Sequence, residues 1–401
     1  MNTLMQISNH TLPDGDPAQS LQSLLTEDFD AVSFRPRLIS ADGPEGVAAL
    51  RELLGSGRVR AVHDRLDEQL TELVVARCPS LHSDREAVRL AVDAVLDGVP
   101  TWRFGSWVWY PWSGRLVHVL PRDLFRRVRT DRNRDKITSV EQAGLFGRRI
   151  GVIGLSVGNS AALTLAMEGV GGAFRLADFD RIGLSNLNRL RSGVAELGVD
   201  KTVACARQLF EIDPYLDVEV FPEGLSEANI ESFFADADGR GLDLLVEECD
   251  TPWVKVAARE HARQRGIPVL MDANDRGLLD VERFDLDPHR PLLHGRLDGV
   301  ASADLLALTP KEAVQLLLRM VDADAISPVM AGAIGQIGRT LCSWPQLASG
   351  VMLGAALVTD TARRILLDHP VPSGRYYVDL QQLIPAAAIS AEAADNAPAA
   401  V

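Results

Sequence analysis

The chain has 401 residues, 46% hydrophobic and 24% charged, with a formal net charge of −14. That length supports two domains or one enlarged α/β domain with a sizeable core, and the acidic balance opposes general affinity for nucleic acid or anionic membranes. Four scattered cysteines form no CxxC pair, which excludes a zinc ribbon or disulfide framework and fits a reducing cytoplasm.

Residues 1–30 are polar and carry Pro13, Gly15 and Pro17, so a loose lead-in is expected, without the charged-then-apolar order of a signal segment. From 31 to 121 short strands and helices alternate in an expected α+β subdomain. Gly46 to Leu54 reads as helical and Val59 to Val62 as extended. Leu66 to Arg77 is helical, with Leu66, Leu70, Leu73 and Val74 on one face, and Asp84 is placed to cap a helix ending at Leu96. Two β-prone runs around Pro111-Trp112-Ser113-Gly114 predict a hairpin. Of six tryptophans, Trp102, Trp107, Trp109 and Trp112 gather there, and bulky rings in such a cluster contribute mainly buried area to a small core.

Arg122 to Lys136 is strongly basic. Most of it reads as a solvated face, yet a dense basic patch directly before a phosphate loop also suits a polyphosphate clamp. Then the apolar run of Ile150, Val152 and Ile153 reads as a buried strand, Gly154-Leu155-Ser156-Val157-Gly158 as a glycine-rich turn, and Ala161 to Met167 as a helix. The free N–H groups and dipole of a helix start suit phosphate. Asp178 lies twenty residues after Gly158, at the end of a second strand, where a carboxylate accepts hydrogen bonds from a ribose hydroxyl.

Beyond Asp178 the alternation continues. Helices are expected at Asp200 to Leu209, Ser226 to Ala235 and Pro252 to Arg265, and strands at Val218 to Phe221, Leu242 to Glu247 and Pro268 to Met271. This pattern predicts a doubly wound, mostly parallel sheet in an α/β domain over 122–385. Asp280 to Asp304 reads as irregular, Lys311 to Met320 and Gly350 to Leu367 as helical, and Tyr376 to Leu380 as a late strand. The apolar stretch Ala348 to Thr359 is too short to span a bilayer. Residues 386–401 are alanine-rich and carry no core pattern, so a disordered tail is expected.

A glycine turn alone serves NAD, FAD and ATP equally. Three further stretches narrow the choice: Asp178-Phe179-Asp180-Arg181-Ile182-Gly183-Leu184-Ser185-Asn186-Leu187-Asn188-Arg189, Gly198-Val199-Asp200-Lys201, and Glu247-Glu248-Cys249-Asp250. In type and order they resemble the E1-like activating enzymes, the superfamily of ThiF, MoeB, HesA and ubiquitin-like modifier-activating adenylation domains. The family pattern is a glycine loop, D-x-D…S-N-L-N-R-Q, a G-x-x-K helix start and D-x-x-D-N. The match runs from about Arg132 to near Asp368.

The resemblance implies a Rossmann-like adenylation fold, ATP and Mg²⁺ as cofactors, and a homodimer. It implies ATP-dependent adenylation of a carboxylate, the C-terminus of a ubiquitin-like or sulfur-carrier protein or a peptide. Gly154, Ser156 and Gly158 would form the loop, Asp178 would bind ribose, and Asp180 would be its companion acid. Asn186 and Arg189 would lie by the phosphates, Lys201 would neutralise phosphate charge, and Asp250 would hold the metal. Arg189, Lys201 and Asp250 are thus the catalytic candidates. An arginine of the pre-loop segment, among Arg129, Arg132 and Arg134, would reach a nucleotide, usually the partner subunit's. The chemistry needs no strong base, since a carboxylate is already ionised near neutral pH; it needs cations to offset repulsion between anions.

The chain departs from the pattern in places. The loop is one residue shorter and has Ser156 where a glycine is usual, Thr251 replaces the asparagine, and Leu190 replaces the glutamine. The crossover from about Asp275 to Thr309 holds no cysteine, so the usual nucleophile of sulfur transfer or E2 handover is missing there. Cys249 reads as a buried strand-end thiol. Asp285, Asp287, His289 and His294 match no standard zinc spacing. Asn274, Asp275 and Arg276 follow a strand at the carboxyl edge and are substrate-side candidates. A dinucleotide-dependent oxidoreductase and a nucleotide-binding member without catalysis are the competing readings.

Overall fold

The computed structural model describes residues 31–297, 299–321 and 325–384. The expected lead-in over 1–30 and tail over 386–401 lie outside the described residues. Two sheets organise the chain. The first comprises β1 (Arg37–Ile39), β2 (Ala61–Asp64), β3 (Ser106–Tyr110) and β4 (Arg115–Val119) in the order β1-β3-β4-β2. The expected hairpin is β3–β4, paired antiparallel from Ser106↔Val119 to Tyr110↔Arg115. Trp107 and Trp109 are buried on one face with Ile39, Leu50, Leu53 and Leu116, whereas Trp102 is exposed. From the other face Val108, Tyr110 and Val119 join the main core, and Tyr110 Oη donates to the Phe210 carbonyl at 3.1 Å.

The second sheet comprises β5 (Arg149–Ile153), β6 (Ala173–Ala177), β7 (Asp217–Phe221), β8 (Leu244–Glu247), β9 (Val269–Ala273), β10 (Leu278–Glu282) and β11 (Gly374–Tyr377). Its order is β11-β10-β9-β8-β5-β6-β7, with β9, β8, β5, β6 and β7 parallel and β10 and β11 antiparallel additions. The central parallel strands are mainly apolar because both faces are covered, with Arg149, Arg175, Glu247 and Asp272 as charged exceptions. From β5, Ile150 and Val152 enter the core shared with helices α1 (Gly158–Glu168), α2 (Lys201–Ile212) and α4 (Ala348–Leu366). Ile153 faces Val254, Ala257 and Ala258 of α3 (Pro252–Arg265) with Phe233 and Phe234. Leu244 and Val246 against Leu245 repeat this division on β8. The chain therefore folds as the expected doubly wound α/β sheet.

Asp280 to Glu282, expected to be irregular, belong to β10. Charged residues hid this strand from an apolar-pattern reading, because their partners are distant in sequence. Asp280 pairs with Arg375 and His294, and Glu282 with Arg259. The helix expected from Ser226 is shortened to Ile230–Phe234, since Asn229 Oδ1 accepts the Ser226 N–H and holds 226–229 as a turn. Among the described residues no helix is long and apolar enough to cross a membrane.

Candidate active site

β5 lies between β6 and β8, so its connections leave toward opposite faces and open a crevice at the strands' carboxyl ends. Gly154 leaves β5 with φ of 85° against the backbone of the segment after β8. A Cβ there would stand 2.6 Å from the Glu248 carbonyl carbon and 2.7 Å from the Cys249 nitrogen. Only glycine fits both demands. Gly158 opens α1 under similar pressure, with Val152 Cγ1 2.8 Å from where its Cβ would be. The Gly158 N–H returns to the Gly154 carbonyl at 3.0 Å, closing the shortened turn around Ser156.

Asp178 ties this turn to β6. One carboxylate oxygen accepts the Leu155 N–H at 2.7 Å, the other the Asp180 N–H at 2.8 Å. Burial pushes its carboxyl above the ordinary range, against the opposing pull of Lys201 and these two N–H groups. Lys201, buried at the first turn of α2, places Nζ 2.7 Å from Asp180 Oδ2 and 3.7 Å from Asp178 Oδ1. Asn186 Oδ1 accepts the Gly183 N–H at 2.9 Å and shapes the turn that delivers Arg189. From there Arg189 Nη2 donates to Ser156 Oγ at 3.0 Å and Nη1 to the Ser185 carbonyl at 3.3 Å and Asn188 Oδ1 at 2.9 Å, while buried Nε has no partner. Burial lowers the Arg189 pKa, and Asp250 opposes that shift. Asp250 lies within electrostatic reach of Lys255, Arg189 and Lys201. Gly154, Ser156, Gly158, Asp178, Asp180, Asn186, Arg189, Lys201 and Asp250 thus converge on one crevice.

Of the pre-loop arginines, Arg129 lies at the far end of α1 from the glycine turn. Arg129 donates to the Ala166 and Met167 carbonyls at the end of α1 and, with Arg126, pairs with buried Asp213. This corrects its candidacy for the nucleotide: the guanidinium is committed to a helix terminus, where cations are favourable. Arg134 is exposed and pairs with Asp131 at 2.9 Å, and Arg132 is exposed.

Arg276 is also committed, donating to Asp379 Oδ2 at 2.9 Å and to the Ala325 carbonyl at 2.8 Å, and Asp275 accepts from Ser327. That leaves Asn274, whose buried Oδ1 has no partner, as the substrate-side candidate. The Asp285–His294 group forms local pairs, and the described residues contain no group of three His, Cys, Asp or Glu able to hold a metal ion. Burial drives the Cys249 thiol well above its usual pKa, helped by Glu247, which opposes a nucleophilic role.

Sequence reasoning missed the charged floor beneath the site. Glu247 is fully buried and bonds Lys255 Nζ at 3.0 and 3.1 Å as well as Arg259, which also pairs with Glu282. Burial raises the Glu247 pKa, but Lys255 and Arg259 outweigh it and hold the group at about 2. Beside it a cavity of about 150 Å³ opens next to Val157 and Asp250. Glu248 and Asp272 line it together with the apolar Leu317, Ile326, Met330 and Trp344. The available signal was an acid inside an apolar strand, Met271-Asp272-Ala273.

A nucleotide fits these residues. Each Asp178 oxygen has one protein donor and retains a lone pair for a ribose hydroxyl. Arg189 and Lys201 bracket a turn whose glycines leave no room for a Cβ. Mg²⁺ is commonly held by one or two carboxylates plus phosphates and water, so a single carboxylate such as Asp250 would fit as its protein anchor.

Residues 130–277 match the model of the ThiF family. Over 274 residues the chain is 45% identical to an uncharacterized protein, MT1398, of Mycobacterium tuberculosis (strain CDC 1551 / Oshkosh), covering 68% of this chain and 38% of that protein. It is 28% identical over 139 residues to a tRNA threonylcarbamoyladenosine dehydratase of Bacillus subtilis (strain 168), covering 34% of this chain and 53% of the relative. The chain therefore spans about two-fifths of one curated relative and half of the other. Among solved structures, TcdA of E. coli superposes with a TM-score of 0.43 at 17% identity, over 60% of this chain and 95% of that one.

Proposed function

From the premise that residues 130–277 are a ThiF family domain, we propose that this protein activates a carboxylate with ATP, giving acyl-AMP and pyrophosphate. The observation that carries the reading is the convergence of Arg189, Lys201 and Asp250 on the Gly154–Gly158 turn and Asp178. A dinucleotide oxidoreductase needs the turn and Asp178 and leaves those three residues without work.

In the proposed reaction a carboxylate oxygen attacks the α-phosphorus, a new O–P bond forms, and the bond to the β-phosphate oxygen breaks as pyrophosphate leaves. Asp178 orients the ribose. Arg189 and Lys201 offset the anion–anion repulsion and the charge growing on the leaving group, a form of electrostatic preorganisation. Lys201 Nζ lies 2.7 Å from Asp180 Oδ2, so a phosphate competes with that acid for the ammonium. Mg²⁺ held at Asp250 would supply further charge neutralisation on the phosphates.

The acyl substrate is a small-molecule or peptide carboxylate, or the C-terminus of a carrier protein. The −14 charge runs against nucleic acid as a partner. The active form is a homodimer in the cytoplasm, with Arg132 or Arg134 reaching the partner subunit's nucleotide. Domain boundaries at 31–121 and 122–385 suit this division between an added N-terminal unit and the adenylation module.

Calorimetric titration with ATP, with and without Mg²⁺, alongside NAD and FAD, tests the nucleotide assignment. Magnesium-dependent binding of ATP alone is expected. Binding of NAD or FAD in preference to ATP would return the site to redox chemistry.

A further inference from the structure

The cavity beside Asp250 has an unusual wall. Asp272 is 6% exposed, yet neither Oδ1 nor Oδ2 has a hydrogen-bond donor, and the buried Oδ1 of Asn274 two residues on also lacks one. The fold makes room for this carboxyl: a Cβ on Gly354 of α4 would fall 1.9 Å from Asp272 Oδ2. Glu248 adjoins it, with Oε1 accepting the Asp272 N–H at 2.9 Å.

Lys255 also lines the cavity, but both Glu247 oxygens engage its ammonium. The partnerless buried atoms on this wall, Asp272 Oδ1 and Oδ2 and Asn274 Oδ1, are all acceptors. The rest of the lining includes the apolar side chains of Leu317, Ile326, Met330, Ile334 and Trp344. A buried carboxylate without a partner is costly, and a ligand cation that pairs with it recovers that cost as binding energy. An anion would find no matching donor among these atoms.

We propose that the cavity binds an ammonium group carried by the carboxylate substrate, with Asp272 as its counter-ion, Asn274 as a second acceptor and the apolar side chains against its carbon body. The substrate class is then an amine-bearing carboxylate. The proposal rests on the adenylation reading for the identity of the carboxylate end, while the ammonium site itself is independent of it. The geometry suits the division, because Val157 and Asp250 line the cavity whereas Arg189 and Lys201 do not.

The test measures binding of 3-methylbutylammonium to the full chain without ATP, against 3-methylbutan-1-ol and 3-methylbutanoate. The ammonium should bind at least about tenfold more tightly than either, and Asp272→Asn should abolish that preference while ATP binding persists. Asn274→Ala, on a half-buried position, should weaken the ammonium by a few-fold and serves if Asp272→Asn does not fold. Equal binding of ammonium and alcohol, no ammonium binding, or full affinity in either folded variant overturns the proposal. Because no ATP is present, such a failure leaves the adenylation reading standing, and a failure of ATP binding leaves this result intact.

Discussion

Arg189 Nη2 donates to Ser156 Oγ at 3.0 Å, joining the glycine turn to the Ser185–Arg189 segment. The residue that departs most from the expected glycine loop is therefore a partner of a candidate catalytic cation. Ser156 orients that cation at the crevice instead of merely occupying a shortened turn.

Removing Arg189 should cost about 10²–10³-fold in turnover, the usual magnitude for a lost donor to developing charge. Arg189→Lys should not rescue it, since one ammonium cannot reproduce a planar fork shared among Ser156, Ser185 and Asn188. Ser156→Ala should cost about tenfold at most. Steady-state pyrophosphate release on the three variants checks the ranking, and a Ser156→Ala loss larger than that of Arg189→Ala contradicts it.

Gly154→Ala should destabilise the fold by about 1–3 kcal/mol or more, because φ is 85° and the added carbon meets backbone atoms of Glu248 and Cys249. Thermal unfolding reads this directly. An unchanged Tm would mean that the turn relaxes freely.

Two buried acids predict opposite pH dependences. Asp272 keeps its proton to about 7 when folded, against 3.8 in its ordinary state. The native state therefore binds more protons between those values, and this contribution to stability is lost as pH rises toward 7. Glu247, held at about 2 against 4.5, contributes stability above the higher value that is lost as pH falls toward the lower. The Tm of Asp272→Asn should gain on the parent between pH 5 and 8, whereas Glu247→Gln should lose most against it at neutral pH. Differences that do not move with pH contradict both assignments.

A pre-loop arginine acting across a dimer predicts complementation. Arg132→Ala and Asp250→Ala should each be inactive alone, and mixed dimers should regain partial activity at sites where both residues are present. Arg134→Ala run in parallel separates the two candidates. Failure of every mixture, with dimers confirmed by sedimentation, removes the arginine from the partner's site.

Much of the frame was legible locally. Pro252 at the first turn and Gly266 beyond the last mark the ends of α3 in the chain itself, and Leu66–Arg77 follows its apolar spacing. Asp178, Lys201 and Asp250 were readable because motif order carries them to one crevice. The floor was not. Glu247–Arg259–Glu282 and Glu248–Asp272 are made across strands and helices by residues 12 to 24 positions apart. Their charges look like surface positions until the sheet is assembled. Arg129 and Arg276 failed as ligand contacts for the same reason, since Asp213 and Asp379 are remote in sequence.

The central claim is best tested by ATP–pyrophosphate exchange, screened over amine-bearing and simple carboxylates and peptides, and repeated with Asp250→Ala. The account predicts Mg²⁺-dependent exchange stimulated by a carboxylate and reduced at least about a hundredfold in the variant. Tight ATP binding with no exchange for any carboxylate, or full exchange in Asp250→Ala, would contradict it.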